Sequence, residues 1–288
     1  MANDIVNMMK DEQQTKLYKD FWSGHTEGYP DAHILDDDSR KDLNILVLGC
    51  GTGSDCWHLT SNHRVCGIDI SASGIAIART HGIEATLTSV TEPFPYPDAS
   101  FDIVVAKDIL EHVLDPLSVM KEVKRVLRPQ GHLVALIPNQ FYWYFRLRYL
   151  FGNNLIWKTF LHDQTKIFEE WNYIHVRFFT WQGVQRFLKA AGFQITKQYF
   201  DFGTLEHYFA PERYYTMYRK QWATGEKKSK RGLLVCFLIY PLWRILNLIF
   251  PKRLRNKVVA VAPGLLTAAF YFRCVPIPGP NGSGIDPT

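Results

Sequence analysis

The sequence predicts an α/β fold with a doubly wound, mostly parallel sheet covered by helices on both faces. Short apolar runs alternate with helical patterns along most of the chain, which favours parallel strands joined by helical crossovers. The first run, ILVL at 45–48, ends abruptly in the glycine-rich stretch GCGTG at 49–53. The length of 288 residues, 47% of them hydrophobic, suffices for one large domain with insertions.

Each element is predicted from a local pattern. Strands are expected where apolar and β-branched residues run together, at 43–48, 64–68, 84–88, 101–106, 132–137 and 193–200. Helices are expected between them, at 55–60, 73–80, 116–127 and 181–191. Gly192 supplies the stop that commonly follows a helix. A mostly apolar run at 265–274 is predicted to be the last strand.

Composition shifts divide the chain into segments. Residues 1–40 form a polar lead-in, and the α/β domain is expected over 41–202 and 263–276. Two insertions interrupt the alternation of strands and helices, an aromatic one at 141–174 and a basic, apolar one at 203–262. The tail at 277–288 contains mostly turn-forming residues, and we expect it to be disordered.

Charge and cysteine content exclude several protein classes. The net charge of +5 is too small for a dedicated nucleic-acid binder. The five cysteines lack metal-ligand spacing, so no metal ion is predicted. No signal-peptide core precedes the domain, and unpaired thiols suit a reducing compartment. We therefore expect a cytoplasmic protein.

The glycine-rich stretch is compatible with three kinds of ligand: a dinucleotide, a nucleotide triphosphate or another adenosine-containing cofactor. A dinucleotide fingerprint requires G-x-G-x-x-G, but Ser54 occupies the place of the third glycine. A phosphate-binding P-loop requires Gly-Lys-Ser/Thr, which is absent. Asp69 ends the second strand, twenty residues after Gly49, where a carboxylate can accept bonds from ribose hydroxyls. Alternatively, Asp69 only caps a helix that starts near Ser71.

Four blocks together carry a family resemblance: VLGCGTG, GIDIS, EPFPYPDASFDIVVAKDILEHVLDP and VLRPQGHLVALIPN, over about residues 43–140. In this order and spacing they resemble a class I S-adenosylmethionine-dependent methyltransferase. The resemblance implies a Rossmann-like sheet with an antiparallel last strand and S-adenosylmethionine at the carboxyl ends of the strands. It implies that cofactor-binding positions are Gly49, Cys50, Gly51, Gly53, Asp69, Ile70, Ser89, Val90 and Lys107.

Two positions depart from the family pattern. The family usually has an acidic residue two positions before the first glycine, where this chain has Val47, and often Asp where this chain has Ser89. Losing one or two such contacts costs about 1–3 kcal/mol. The sequence therefore predicts weakened, but not abolished, cofactor binding.

Two histidines are candidate general bases for methyl transfer. His112 follows the fourth strand, and His175 lies shortly before the helix at 181–191. Alternatively, Asp108 and Glu111 form a capping box that only starts a helix around His112, and His175 is a hydrogen-bonded loop residue. An acidic acceptor would need no base, because the sulfonium methyl is already activated.

The acceptor is predicted to be a small, hydrophobic or lipid-linked molecule. The Asn/Asp-Pro-Pro-aromatic motif of nucleic-acid N-methyltransferases is absent, because that place reads AKDILEHV, so no nucleic-acid substrate is expected. Tyr142 and Trp143 from the aromatic insertion, with Arg177, are predicted to line the substrate pocket. Alternatively, the insertion forms extra helices whose aromatic residues pack on the sheet.

The second insertion predicts contact with a membrane. Between 212 and 257, twelve Lys and Arg face only Glu212 and Glu226, so the segment carries +10 although the whole chain carries +5. The basic clusters flank the apolar stretch 232–250, which suits an in-plane segment on an anionic surface. We expect peripheral binding at the inner membrane face through 227–257. A helix buried against the core is the alternative.

The predicted function is methyl transfer from S-adenosylmethionine to this acceptor, with O- or C-methylation favoured. The main alternative is a catalytically silent, methyltransferase-like module that regulates or scaffolds a partner, as Val47 and Ser89 would favour. A nicotinamide-dependent oxidoreductase is disfavoured by the missing third glycine of the dinucleotide fingerprint.

Overall fold

The computed structural model describes residues 31, 33–35, 39–151, 175–199, 215, 218–219, 234–249 and 251–278. Most of the predicted lead-in 1–40, the second half of the aromatic insertion, the basic cluster at 227–231 and the tail from 279 onward lie outside the described residues. The chain divides into two compact units. The first comprises 1–137, 156–198 and 271–288, and the second comprises 138–155 and 199–270.

Seven strands form one sheet in the order β3-β2-β1-β4-β5-β7-β6. The first five strands pair in parallel, whereas β7 and β6 pair antiparallel. This arrangement confirms the predicted mixed α/β sheet. The strands are β1 Asn44–Leu48, β2 Arg64–Asp69, β3 Glu84–Leu87, β4 Phe101–Lys107, β5 Leu127–Pro138, β6 Phe193–Tyr199 and β7 Ala269–Pro276.

The described helices follow their sequence signals. Ser71, Asp115 and Thr180 each cap a helix through a side-chain oxygen that accepts a backbone N–H. Short 3-10 turns occur at Trp57–Leu59 and Leu110–His112, and a π-helical turn at Val235–Ile239. The helices are α1 Ala72–Thr80, α2 Pro116–Val126, α3 Trp143–Leu150, α4 Trp181–Ala190, α5 Tyr240–Ile249, α6 Lys252–Val261 and α7 Pro263–Leu266.

The two central strands are buried on both faces. In β1, Ile45 and Leu46 point to opposite faces and are fully buried, as are Ile103 and Val104 in β4. Such continuous apolar runs are typical of parallel strands that helices cover on both sides. The core therefore places the ends of β1 and β4 firmly side by side.

Three predicted elements differ from the structure. The helix expected at 55–60 is only the turn Trp57–Leu59, whose cap residue Cys56 makes no side-chain cap bond. The last strand begins at Ala269 rather than at 265, because Pro263 starts the short helix α7 and favours a first helical position. The fifth strand begins at Leu127, earlier than expected.

The second unit has its own internal bonds. The side-chain amide of Asn139 donates to the carbonyl oxygens of Gly264, at 3.0 Å, and Thr267, at 2.7 Å. Its backbone N–H donates to Ala268 at 2.8 Å. These bonds join the start of the unit to its end. Across the described ranges, no helix has the length and apolarity needed to span a bilayer.

Candidate active site

A cavity of about 400 Å³ lies in the first unit, at the carboxyl ends of β1, β2 and β4. In open parallel sheets ligands bind at this edge, near the point where the strand order reverses, and β1 with β4 flanks that point. The volume falls within the usual range for small-molecule sites. The glycine-rich stretch forms one wall, and the segment from Lys107 to Asp115 contributes to another.

Three glycines shape the loop after β1. Gly49, Gly51 and Gly53 have φ of +64°, +49° and +80°, in the left-handed region that glycine favours. A Cβ on Gly49 would lie 2.8 Å from Cδ1 of Ile109, and one on Gly53 only 2.2 Å from Cδ1 of Ile83. A Cβ on Gly51 would meet nothing within 4 Å. Gly49 and Gly53 therefore serve packing, whereas Gly51 borders the open cavity.

Asp69 holds the glycine loop from the tip of β2. Its Oδ2 accepts the N–H of Gly51 at 2.8 Å, and its Oδ1 accepts the N–H of Ser71 at 2.7 Å. Helix α1 is capped by the Ser71 hydroxyl, so the alternative that Asp69 only caps this helix is wrong. Burial raises the pKa of Asp69 although these N–H groups oppose the shift. The N–H of Ile70 also bonds this carboxylate, which retains acceptor capacity for a ligand hydroxyl.

Lys107 joins two acidic residues beside the cavity. Its Nζ lies 2.6 Å from Oδ2 of Asp31 and 2.9 Å from Oδ2 of Asp55. The hydroxyl of Tyr271 donates to the same Asp31 oxygen at 2.5 Å. Burial alone would raise the pKa of Asp31, but the Lys107 ammonium and the hydrogen bonds lower it below 3.8.

Sequence reasoning identified Lys107 but missed Asp31 and Asp55. No local pattern connects residue 31 with residue 107. The available signal was Lys107 itself, since a lysine that ends an apolar strand requires a partner when it is buried.

A buried acidic residue and two imidazoles meet beside the cavity. Oε1 of Glu111 lies 3.5 Å from Nε2 of His112 and 3.9 Å from Nε2 of His175. The rings of the two histidines stand edge to face with centroids 4.6 Å apart. His112 lines the cavity. The predicted capping box is absent, because the turn Leu110–His112 has no side-chain cap bond.

The surroundings disfavour the charged forms of this group. Burial lowers the pKa of His175 to about 3, and the nearby His112 contributes to the shift. Burial also raises the pKa of Glu111 well above its usual value, with a smaller contribution from Asp108. So low a pKa disfavours His175 as a general base at neutral pH.

Residues 46–135 match the family model of a methyltransferase domain. The chain is 34% identical over 114 residues to norajmaline N-methyltransferase of Rauvolfia serpentina, covering 36% of this chain and 39% of that protein. It is 30% identical over 97 residues to ubiquinone biosynthesis O-methyltransferase of Sodalis glossinidius, covering 31% and 39% respectively. Residues 46–135 therefore carry a methyltransferase domain.

The alignments with these two relatives cover only part of each chain. The chain spans about two fifths of the length of these two relatives. An S-adenosylmethionine-dependent methyltransferase of Methanosarcina mazei superposes with a TM-score of 0.46 and 24% identity, over 59% of this chain and 89% of that chain. Both the cofactor and the acceptor therefore have to be argued from the cavity.

The methyltransferase domain brings most of the predicted cofactor positions to one cavity. Gly53 is the exception, because it packs against Ile83 and does not line the cavity. Ser89 is engaged locally, with its hydroxyl 2.7 Å from that of Thr91. The predicted positions that line the cavity are Gly49, Cys50, Gly51, Asp69, Ile70, Ser89, Val90 and Lys107.

None of the three predicted substrate-pocket residues is among the described residues that line the cavity. Tyr142 is fully buried in the second unit, and Trp143 opens helix α3 there; neither is among the described cavity-lining residues. Arg177 lies in the first unit, and its guanidinium donates to the carbonyl oxygen of Leu114. Since Leu114 lines the cavity, Arg177 hydrogen-bonds a residue of the cavity wall.

Proposed function

We propose that the protein transfers a methyl group from S-adenosylmethionine to a small, hydrophobic acceptor. The observation that carries this proposal is the open space at Gly51 beside the Asp69 carboxylate, at the edge of a cavity of about 400 Å³. The loop has no Cβ where a ligand would approach, and the carboxylate keeps free acceptor positions for a ribose.

The cofactor would lie along the ends of β1, β2 and β3. Its methionine part would contact the loop at Gly49, Cys50 and Gly51, and its ribose would bind Asp69. The adenine would pack on Ile70 with its edge near Ser89 and Val90. This order follows the cavity wall from the end of β1 to the residues after β3.

Charge beside the loop compensates for the missing acidic residue at Val47. Asp31 and Asp55 share the single ammonium of Lys107, which leaves a formal charge of −1. S-adenosylmethionine carries a net charge of +1 through its sulfonium. Asp55 lines the cavity and is therefore our candidate for receiving the cofactor's α-ammonium, a contact that charge assistance makes worth about 1.5–3 kcal/mol.

The acceptor site would be the apolar part of the same cavity. Its wall includes the side chains of Ile34, Val47, Ile109, Val113 and Leu114. Such a wall suits a small hydrophobic molecule and excludes water from the sulfonium. The domain's task is then to hold the acceptor atom in line with the methyl group at about 3–3.5 Å.

His112 is the candidate for accepting a proton from the acceptor. It is the histidine of the described residues that lines the cavity, and the nearby His175 has a pKa too low for this role. O- and C-methylation remain our preferred reactions, although the relatives named above include an N-methyltransferase. A phenolic or carboxylic acceptor would react without a base.

Calorimetric titration with S-adenosylmethionine and S-adenosylhomocysteine tests the cofactor site. We expect micromolar binding to the wild-type protein and at least tenfold weaker binding to Asp69→Ala, which corresponds to about 1.4 kcal/mol. Asp69→Asn separates charge from loop positioning, because it keeps one acceptor oxygen. Asp98→Ala is the matched control, since its exposed carboxylate pairs with Arg125 at the surface.

The same titration distinguishes the enzyme from a silent module. If the wild-type protein has a native circular dichroism spectrum but binds neither ligand, the methyltransferase proposal fails. The scaffold alternative would then account for Val47 and Ser89. If binding occurs, acceptor screening begins with small hydrophobic phenols and acids.

We further propose that the second unit binds an anionic membrane surface. On α5, the exposed apolar residues Leu242, Ile245, Leu248 and Ile249 follow the helical spacing of a single face. Leu248 is 85% and Ile249 74% exposed. The alternative of a helix buried against the core conflicts with these exposures.

Charge favours an anionic membrane as the occupant of this face. The face includes exposed Arg244, and α6 follows with Lys252, Arg253, Arg255 and Lys257. Lipid headgroups of negative charge would attract these residues by about 1 kcal/mol each, and the acyl boundary would receive the apolar side chains. An acceptor dissolved in that membrane would then lie close to the bound protein.

Co-sedimentation with vesicles tests this proposal. We expect binding to phosphatidylserine-containing vesicles and little binding to pure phosphatidylcholine vesicles. The double variant Leu248→Ser, Ile249→Ser should lose about 30-fold in affinity, since it removes roughly 2 kcal/mol of apolar burial. Leu87→Ser, at an exposed position on β3, is the matched control. Equal affinity of all three proteins would refute membrane docking through α5.

A further inference from the structure

The side chains of Glu111, His112 and His175 form a compact set of potential metal ligands. One carboxylate oxygen and one ring nitrogen from each histidine all lie within 4.8 Å of one another. Glu111 and His112 belong to the 3-10 turn after β4, and His175 comes from the segment that precedes α4. Sixty-three positions separate His112 from His175 in the sequence, which explains why ligand spacing did not reveal the set.

Backbone bonds hold the two segments in this arrangement. The N–H groups of Val176 and Arg177 both donate to the carbonyl oxygen of Glu111, at 2.9 and 3.0 Å. The guanidinium of Arg177 donates to Leu114 further along. The ligand atoms are therefore positioned by the fold and need little rearrangement to meet one ion.

The Glu111 carboxylate is buried without a cation that would neutralise its charge among the described residues. It is 1% exposed, and within the described part of the chain no other residue donates a hydrogen bond to either of its oxygens. The basic groups found within 4.0 Å of it there are the two imidazoles. A buried carboxylate without a cation or hydrogen-bond donor costs several kcal/mol, and a metal ion would offset that cost.

We propose that Glu111, His112 and His175 bind one divalent transition-metal ion of the zinc type. Two imidazoles and one carboxylate are the protein ligands of a known class of catalytic zinc sites, which leave a coordination position open. Ligand atoms about 2.0–2.1 Å from a tetrahedral ion lie roughly 3.4 Å apart. The Glu111–His112 separation of 3.5 Å already fits, and His175 at 3.9 Å needs a shift of about half an ångström.

The site would border the proposed acceptor cavity. His112 lines that cavity, so the open coordination position is accessible to an oxygen or nitrogen of a bound molecule. The ion would occupy Nε2 of His112, and this histidine would then not serve as a general base. The metal site is inferred from ligand geometry alone and stands even if methyl transfer is not found.

Metal binding can be measured without activity. The purified full-length protein is stripped with EDTA and titrated with Co²⁺, whose visible absorption reports its ligands, and then with Zn²⁺ followed by elemental analysis. We expect one ion per chain, with affinity reduced at least 100-fold in His175→Gln and Glu111→Gln. The matched control is His81→Gln, since His81 is an exposed residue at the end of α1.

Thermal unfolding keeps the test decisive if a variant is unstable. A bound ion stabilises the folded state by mass action, so Zn²⁺ should raise the Tm of the wild type and of His81→Gln but not that of His175→Gln. Less than 0.2 ions per chain, or equal affinity in His175→Gln, would overturn the proposal. Titration of the same samples with S-adenosylhomocysteine shows separately whether the cofactor site is intact.

Discussion

At the scale of single residues, different glycines of the loop after β1 serve packing and ligand binding. Gly51 and Gly53 have similar left-handed backbones but opposite surroundings, because a Cβ meets open space at Gly51 and Cδ1 of Ile83 at Gly53. The same substitution at the two positions should therefore have different effects. This contrast gives a direct test of where the cofactor lies.

We expect Gly51→Ala to cost about 1 kcal/mol of stability, because alanine is strained at positive φ. Its Cβ would project into the cavity and weaken cofactor binding at least tenfold. Gly53→Ala should destabilise by about 2–4 kcal/mol, because overpacking against Ile83 adds to the backbone strain. Urea unfolding and calorimetric titration of both variants measure these effects. Unchanged cofactor affinity in folded Gly51→Ala would contradict the proposed position of the methionine part.

The residue Asp31 provides a prediction with a defined pH dependence. Its pKa is lowered in the folded state, so the carboxylate contributes stability above its unfolded pKa of about 3.9. That contribution is lost as the pH falls through the lower folded-state pKa. At pH 7, Asp31→Asn should be less stable by about 2–3 kcal/mol, because its ion pair with Lys107 is largely buried.

Urea unfolding at pH 7 and at about pH 3 checks this prediction for Asp31. The difference between wild type and Asp31→Asn should shrink at the lower pH, because Asp31 is then largely protonated in the unfolded state while its lowered pKa delays protonation in the folded state. Asp98→Asn is the control, because its carboxylate is 78% exposed beside Arg125 and such surface pairs contribute little. A difference that stays constant with pH would show that packing, rather than charge, explains the effect of the substitution.

At the scale of elements, apolar runs predicted the strands well because they are buried on both faces. Strand β1 starts, and β2 ends, one residue later than expected, and Gly51 and Asp69 near their carboxyl ends line the cavity. The turn Trp57–Leu59 was mistaken for a helix because a periodic pattern cannot show that the loop stays in 3-10 geometry. The contacts Lys107–Asp31 and Glu111–His175 come from tertiary packing, which no local pattern encodes.

Helix α4 offers a test of one element that is independent of the cavity lining. The Thr180 hydroxyl accepts the N–H of Gly183 at 3.0 Å and caps the helix. We expect Thr180→Ala to lower the free energy of unfolding by about 1 kcal/mol. Thr180→Ser keeps the hydroxyl and should retain most of that stability in urea unfolding. Equal losses in the two variants would show that the methyl group, and not the cap, contributes.

At the scale of the whole molecule, charge is distributed unevenly. The chain carries +5, but residues 212–257 carry +10, so the remainder is acidic. The methyltransferase domain matched at 46–135 lies outside this basic segment. The apolar face of α5 and the basic residues belong to the same segment, so they would act together on one surface.

Salt therefore should weaken vesicle binding without abolishing it. Raising the salt concentration from about 0.1 M to about 1 M shortens the Debye length from about 10 Å to about 3 Å, which screens the basic residues but leaves apolar insertion intact. We expect wild-type binding to phosphatidylserine vesicles to fall at least tenfold and then level off, whereas Leu248→Ser, Ile249→Ser should fall to background. Arg244→Glu should bind less at low salt and approach the wild type at high salt. Complete loss of wild-type binding at high salt would mean that the exposed side chains of α5 do not enter the lipid.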